Sequence, residues 1–399
     1  MRILFLSPRQ CWPAVSGAKL REYHLARALG QTGDLTYVYF SQGLPAPPDD
    51  LPFCRHVISV PKPSAYTPGK IIQGILTGVP LPVINYTSRE MRETLAGLSD
   101  RPTFDLVHVD SIHMAGYLPI VSGMTSRVII HWHNIESELM ARYAANSTLP
   151  KKLYASLTAR RLAALEDKLL GSSFGHVVCS ERERELLLAR APQARVAVVE
   201  NGVDTKSFTL DGGSARHRIV FVGSMGYHAN TEAALYFTST IWPALYRQFP
   251  SWTLTLVGSD PPPSIRALAG HYPAVEVTGT VPDVRPFYGE ALLAIVPLRT
   301  GGGTRLKILE AFAAGVPVIS TTLGAEGLNL SPGQHFIAAD TQTEWVAACS
   351  AIAHDAALRK RLMQAGRKLA EDEYDWTVIG ARLVATYGTW VTEGRATAR

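Results

Sequence analysis

The sequence predicts an α/β protein built as two doubly wound domains, each a parallel sheet with helices on both faces. Three observations carry this. Short β-branched or aromatic runs alternate with longer segments of helical period, the pattern of βαβ units, and the alternation is set out twice along the chain. The chain has 399 residues, room for two domains at roughly 100 to 200 residues each. Hydrophobic residues make up 46% and charged residues 18%, a balance that fills a core and excludes disordered, collagen-like and coiled-coil chains.

Taken in order, residues 3–6, 35–40, 57–60, 106–109, 128–131, 176–179 and 196–199 read as strands of a first sheet. Residues 219–222, 254–257, 275–278, 293–296, 316–320 and 335–338 read as strands of a second. Polar stretches at 191–195 and 209–217 bracket the turn between the series, so the domains are expected at 1–195 and 196–375. Helical spacing over 356–370 breaks near 373–376, which sets off a last amphipathic segment, 376–399, as a helix returning to the first domain. Residues 61–82 are apolar and rich in Pro and Gly, and read either as an exposed lid or acceptor loop or as a helix-turn packed on the sheet.

No apolar run approaches the roughly 20 residues that a membrane-spanning helix needs. The opening residues 1–8 read as a buried strand rather than a signal peptide, so the expected location is the cytoplasm, with peripheral attachment to the inner face of the membrane left open. The four cysteines, Cys11, Cys54, Cys179 and Cys349, are scattered without ligand spacing and read as reduced thiols. Charge is uneven: residues 1–199 carry 22 Lys and Arg against 16 Asp and Glu, and residues 200–399 carry 17 against 18. Lys151, Lys152, Arg160, Arg161 and Lys168 lie along an expected helix at 150–170, as a solvated face or as a surface for an anionic acceptor or membrane.

The strongest chemical signal is the segment 297–320. A strand ends at Pro297, a loop containing Gly301, Gly302 and Gly303 follows, and a helix begins with Arg305, Leu306 and Lys307. Glycines let backbone N–H groups approach an anion, and the helix dipole adds partial positive charge at the same place. Arg305 and Lys307 oppose that dipole, a local cost offset when an anion sits between them. Glu310 follows in the second turn, toward a sugar hydroxyl.

This stretch resembles the donor-site signature of the retaining, GT-B-fold glycosyltransferases of the family 4 type (glycosyl transferases group 1). Ser16-Gly17-Ala18-Lys19, His133-Asn134-Ile135-Glu136, Glu200-Asn201-Gly202-Val203-Asp204 and the run from Phe221 to Asn230 agree with that group in order and spacing. The match is looser over 41–125. The resemblance implies two Rossmann-like domains facing a cleft, with donor in the second and acceptor in the first. It implies a hexosyl transfer from a nucleotide diphosphate sugar to a hydroxyl acceptor: a glycan, a small molecule or a lipid-linked, anionic one. It also implies that Gly17, Asn201, Gly223, Met225, Tyr227, Val281, Gly302, Gly303, Thr304, Arg305, Leu306 and Glu310 hold the donor, Glu310 through its ribose hydroxyls. Where the group carries a first Glu, eight residues earlier, this sequence has Gly302. Its sugar contact then falls to the amides of Gly302 and Gly303.

The mechanism implied is front-face attack, with Arg305 and Lys307 stabilising the leaving diphosphate and His133, or alternatively His131, orienting the sugar. No D-x-D triplet occurs, so no metal and no cofactor beyond the co-substrate donor are expected, and no nucleic acid partner. A dinucleotide site at Gly223–Gly226 lacks the third glycine and the acidic residue about 20 positions on. Two other readings remain: an epimerase or phosphorylase of the same fold, and a catalytically silent nucleotide-sugar binder.

Overall fold

The computed structural model describes residues 1–14, 16–43, 50–99, 104–145, 147–208, 217–301 and 305–396. They form two compact units, Met1–Glu200 with Ile379–Arg399, and Asn201–Val378.

In the first unit β1 (Arg2–Ser7), β2 (Asp34–Ser41), β3 (His56–Pro61), β4 (Leu106–Asp110), β5 (Val128–His131), β6 (Gly175–Val178) and β7 (Val196–Val198) form a sheet in the order β3-β2-β1-β4-β5-β6-β7. Every neighbouring pair is parallel. Ile3, Leu4, Phe5 and Leu6 are all fully buried, as uninterrupted apolar strands must be when both faces are covered. The order reverses between β1 and β4, where diverging connections open a crevice at the carboxyl ends. Leu6 opposite Val109 and Asp110 opposite His131 bring Ser7, Asp110 and His131 to that edge.

The last helix, Trp376–Ala396, belongs to this unit from Ile379 on. Its seat needs glycines at two close approaches: a Cβ on Gly380 would lie 2.7 Å from Ala28 Cβ, and one on Gly175 would lie 2.7 Å from the Trp390 ring. Because β7 pairs with β6, His176 opposite Val196, the boundary falls after Glu200 rather than before residue 196. It closes at Val378 rather than 375: beyond Asp375, which accepts from the Thr205 amide (3.1 Å) and hydroxyl (2.5 Å), Trp376 N–H still bonds Val203 O at 3.1 Å inside the second unit.

The second unit holds β8 (Arg218–Val222), β9 (Thr253–Val257), β10 (Val275–Gly279), β11 (Ala291–Val296), β12 (Val318–Ser320) and β13 (Ile337–Ala338), ordered β10-β9-β8-β11-β12-β13, again all parallel. The switch lies between β8 and β11. The last two strands start later than the sequence suggests. Val316 N–H still bonds Ala311 O of the preceding helix at 2.8 Å, and His335 N–H closes a turn on Ser331 O at 3.0 Å.

Residues 61–82 are helical in their middle. Thr67 caps the helix Pro68–Thr77 through the Lys70 amide, and Gly78 ends it at φ 70°. A short helix, Leu81–Ile84, then buries Val83 and Ile84. The basic helix spans Lys151–Ser172. Among the described residues, no helix is long and apolar enough to cross a membrane.

Candidate active site

The carboxyl edge of the second sheet is stripped of side chains where β8 and β9 end. A Cβ on Gly258 would meet Gly223 O at 1.8 Å, and one on Gly223 would come within 2.8 Å of both Lys307 Nζ and Asn230 Nδ2. That space is taken by the half-buried Lys307, whose Nζ donates to Asn230 Oδ1 at 2.7 Å and lies 4.3 Å above the Phe221 ring. Asn230 is oriented in turn by donating from Nδ2 to Ser224 O at 2.8 Å. Burial, followed by the nearby charge of Arg305, pulls the Lys307 pKa down to about 7.

Lys307 sits in the first turn of the helix Leu306–Ala313, whose N-terminal residue Arg305 supplies no side-chain cap. The opening amides of a helix have no intrahelical partner and carry the positive end of its dipole. Arg305 is 6% exposed and folds back on its own loop, with Nη2 donating to Gly301 O at 3.3 Å. Gly301, at φ 101°, admits the Tyr227 hydroxyl, which would lie 3.4 Å from a Cβ there. Gly223, Tyr227, Asn230, Gly301, Arg305 and Lys307 therefore converge. Gly302, Gly303 and Thr304 lie outside the described residues.

One turn on, Glu310 Oε2 accepts from the Tyr288 hydroxyl at 3.1 Å, and the same hydroxyl is 3.1 Å from Lys307 O. Burial raises the Glu310 carboxyl above its ordinary range, opposed by Tyr288 and Lys307. Other expected donor residues do not join this group. Met225 is fully buried in the core, with its amide donating to Ser259 O at 2.8 Å. Its side chain leaves the glycine turn toward the interior. Leu306 and Val281 pack, half-buried, against the same core. Asn201 opens the unit in the turn where Gly202 lies against Tyr374 and Trp376.

The switch point of the first unit is furnished differently. Asp110 is fully buried, with Oδ1 2.5 Å from His131 Nδ1 and 3.4 Å from His108 Nε2, and Oδ2 2.9 Å from His133 Nε2. His131 is saturated, because Arg21 donates from Nε to its Nε2 at 2.7 Å while also donating to the carbonyls of Val199 and Glu200. Burial and the Arg21 charge hold His131 well below the usual histidine range. Of the two candidate histidines, His133 is the one with solvent access, its side chain 14% exposed.

Burial and the neighbouring Asp110 push the Glu22 carboxyl well up, against the pull of Arg9 at 2.8 Å. Burial would raise Asp110 too, but His133 and His131 hold it well below the carboxylate range. Glu22, Asp110 and His133, or His108, Asp110 and His131, present ligand atoms within 4.8 Å of one another. Arg9, 2.8 Å from Glu22, and Arg21, on His131, supply positive charge to these same groups. Gly17 begins the helix Gly17–Thr32 that follows β1 and carries Arg21 and Glu22 into the network.

Four side chains that furnish these two edges escaped the sequence: Asp110, Glu22, Asn230 and Tyr288. A carboxylate ending the apolar strand 106–109 was the available signal for Asp110.

Two doubly wound parallel sheets of seven and six strands in one chain are the GT-B architecture of glycosyltransferases. Residues 15–207 match the family model described as Glycosyltransferase Family 4, and residues 216–355 the one described as Glycosyl transferases group 1. The chain belongs to this glycosyltransferase family. It is similar to sucrose-phosphate synthase of Thermosynechococcus elongatus, with a TM-score of 0.70 at 17% identity, over 98% of this chain and 100% of that one. Anabaena HepE in complex with UDP and glucose superposes with a TM-score of 0.65 at 15% identity, over 97% and 99% of the two chains. Both likenesses establish the fold. The phosphatidyl-myo-inositol mannosyltransferase of Mycolicibacterium smegmatis is 24% identical over 266 residues, 64% of this chain and 66% of that protein. The chain spans from 24% to 66% of the length of the curated relatives it matches.

Proposed function

We propose that the chain transfers a hexosyl residue from a nucleotide diphosphate sugar to a hydroxyl acceptor, with retention at the anomeric carbon and without a metal or resident cofactor. The observation that carries this is the convergence of the Lys307 ammonium and the start of the helix Leu306–Ala313 at one switch point, with Glu310 a turn beyond. Positive charge on a glycine-lined edge suits a diphosphate, and a carboxylate one turn on suits the cis-diol of a ribose. HepE, the Anabaena neighbour, binds UDP, and the mycobacterial relative is a mannosyltransferase.

In the proposed step the acceptor oxygen attacks the anomeric carbon from the side that the diphosphate leaves. The bond from that carbon to the β-phosphate oxygen breaks, and the acceptor proton passes to the departing phosphate. Charge grows on the phosphate oxygens, where Lys307 and the helix amides are already in place. Arg305 acts on the loop and on the charge state of Lys307 rather than by direct contact. His133, with Nε2 held by Asp110, presents its other ring nitrogen to a sugar hydroxyl.

Incubation with a panel of nucleotide sugars and acceptors, followed by NMR of the new linkage, tests the reading. Free nucleoside diphosphate together with a product of unchanged anomeric configuration supports it. An epimerised sugar without acceptor, a sugar phosphate as product, retention of donor without turnover, or an inverted linkage would each contradict it.

A further inference from the structure

We propose that the helices Pro68–Thr77 and Lys151–Ser172, with residues 139–145 and 147–149 before the second, form a surface that docks on an anionic lipid bilayer. This stands on the surface of the first unit and does not rest on the transfer reaction.

Among the described residues, all but three of the exposed large apolar side chains fall in residues 66–79 and 139–157; the exceptions are Met1, Tyr227 and Met363. The exposures are high: 80% for Leu76, 69% for Leu149, 67% for Ile75 and 66% for Leu153. Exposed apolar residues are ordinarily scattered, and their concentration marks a surface that meets something apolar. The two stretches are neighbours, because Arg161 reaches from the basic helix to donate from Nη1 to Gly74 O at 2.9 Å. Leu153 and Leu157 precede Arg161 at intervals of four, so they lie along the same side of that helix.

Charge decides the occupant. Residues 51–89 contain no Asp or Glu; of their cations Arg55 and Arg89 are paired with Asp34 at 3.0 Å and Glu93 at 2.7 Å, which leaves Lys62 and Lys70 to the surface charge. Residues 139–165 contain Lys151, Lys152, Arg160 and Arg161, besides Arg142, which is paired with Glu138 at 2.8 Å, and no acidic residue. Lys151, Lys152 and Arg160 are exposed. Apolar side chains rimmed by cations, with Tyr66, Tyr143 and Tyr154 among them, match the boundary between acyl chains and anionic headgroups. A second copy of the chain fits poorly, since an isologous contact would set these cations against themselves.

Flotation with vesicles tests the proposal on the full chain. Binding is expected to phosphatidylcholine vesicles containing about 30 mol% phosphatidylglycerol, roughly tenfold weaker to phosphatidylcholine alone, and weaker as salt rises. The double variant Ile75→Asp with Leu153→Asp should lose roughly tenfold or more of that binding. Lys151→Glu with Lys152→Glu should lose the preference for phosphatidylglycerol. Both pairs replace exposed side chains and should keep the wild-type Tm and circular dichroism. Three outcomes overturn the proposal: wild type that floats with neither vesicle, variants that bind like wild type, or a concentration-dependent dimer abolished by Ile75→Asp with Leu153→Asp in a protein that ignores vesicles.

Discussion

The two units reverse their strand order at equivalent places, between β1 and β4 in the first and between β8 and β11 in the second, yet the two edges carry opposite chemistry. At the first, Ser7, Asp110 and His131 end the strands, and a buried carboxylate binds imidazoles together. At the second, Gly223 and Gly258 end them, and the cleared space holds a lysine whose charge burial disfavours. Parallel topology decides where a ligand can approach a sheet; the few residues at the strand ends decide which ligand. On this account the second edge receives an anion and the first a neutral hydroxyl.

That division can be broken by changing one edge at a time. The largest effect is expected from Lys307→Ala, which should lower kcat by a barrier increment of about 2 to 4 kcal/mol while raising the donor KM little. A change confined to KM would make Lys307 a uniform binder and remove its role in the transition state. Glu310→Gln should weaken nucleoside diphosphate binding about 10- to 100-fold and erase the preference for ribose over 2′,3′-dideoxyribose nucleotides, with folding intact. Equal selectivity in both proteins, read by calorimetry, would leave Glu310 with Tyr288 alone.

At the other edge His133→Ala should depress kcat roughly tenfold and leave nucleoside diphosphate affinity unchanged. A parallel loss of nucleotide affinity would show that the two edges do not divide the work. The smallest effect is that of chelation: transfer assayed in excess EDTA should stay within about twofold of the untreated rate, whereas a loss of more than about tenfold restored by magnesium or manganese would contradict the metal-free step.

The same contrast shows what the sequence discloses. Both sheets are legible because buried parallel strands are unbroken apolar runs, as in β1 and β11. The short strands β12 and β13 are overdrawn, since Val316 and His335, their first residues by the sequence pattern, still serve a helix end and a turn. Lys307, Arg305 and Glu310 are legible because a single loop and helix carry them. Asn230 and Asp110 are not, because each acquires its role from a partner far along the chain: Asn230 from Lys307, Asp110 from His133. Met225 misled for a related reason. It follows the glycine that clears the site, and backbone geometry turns its side chain into the core.

If Lys307 meets the diphosphate, binding must change its protonation, and proton uptake reads that contact out. In the free protein the Lys307 pKa lies at about 7; a bound diphosphate favours the charged form and raises it. Above pH 7 binding must then take up a proton, and affinity must fall with rising pH by up to about tenfold per unit until the pKa of the complex is reached. Calorimetric titration of UDP at pH 8.5, in two buffers of different ionisation enthalpy, should show an uptake approaching one proton for the wild type and none for Lys307→Met, with weaker binding by the variant. Equal affinity and no uptake in both proteins would contradict the account.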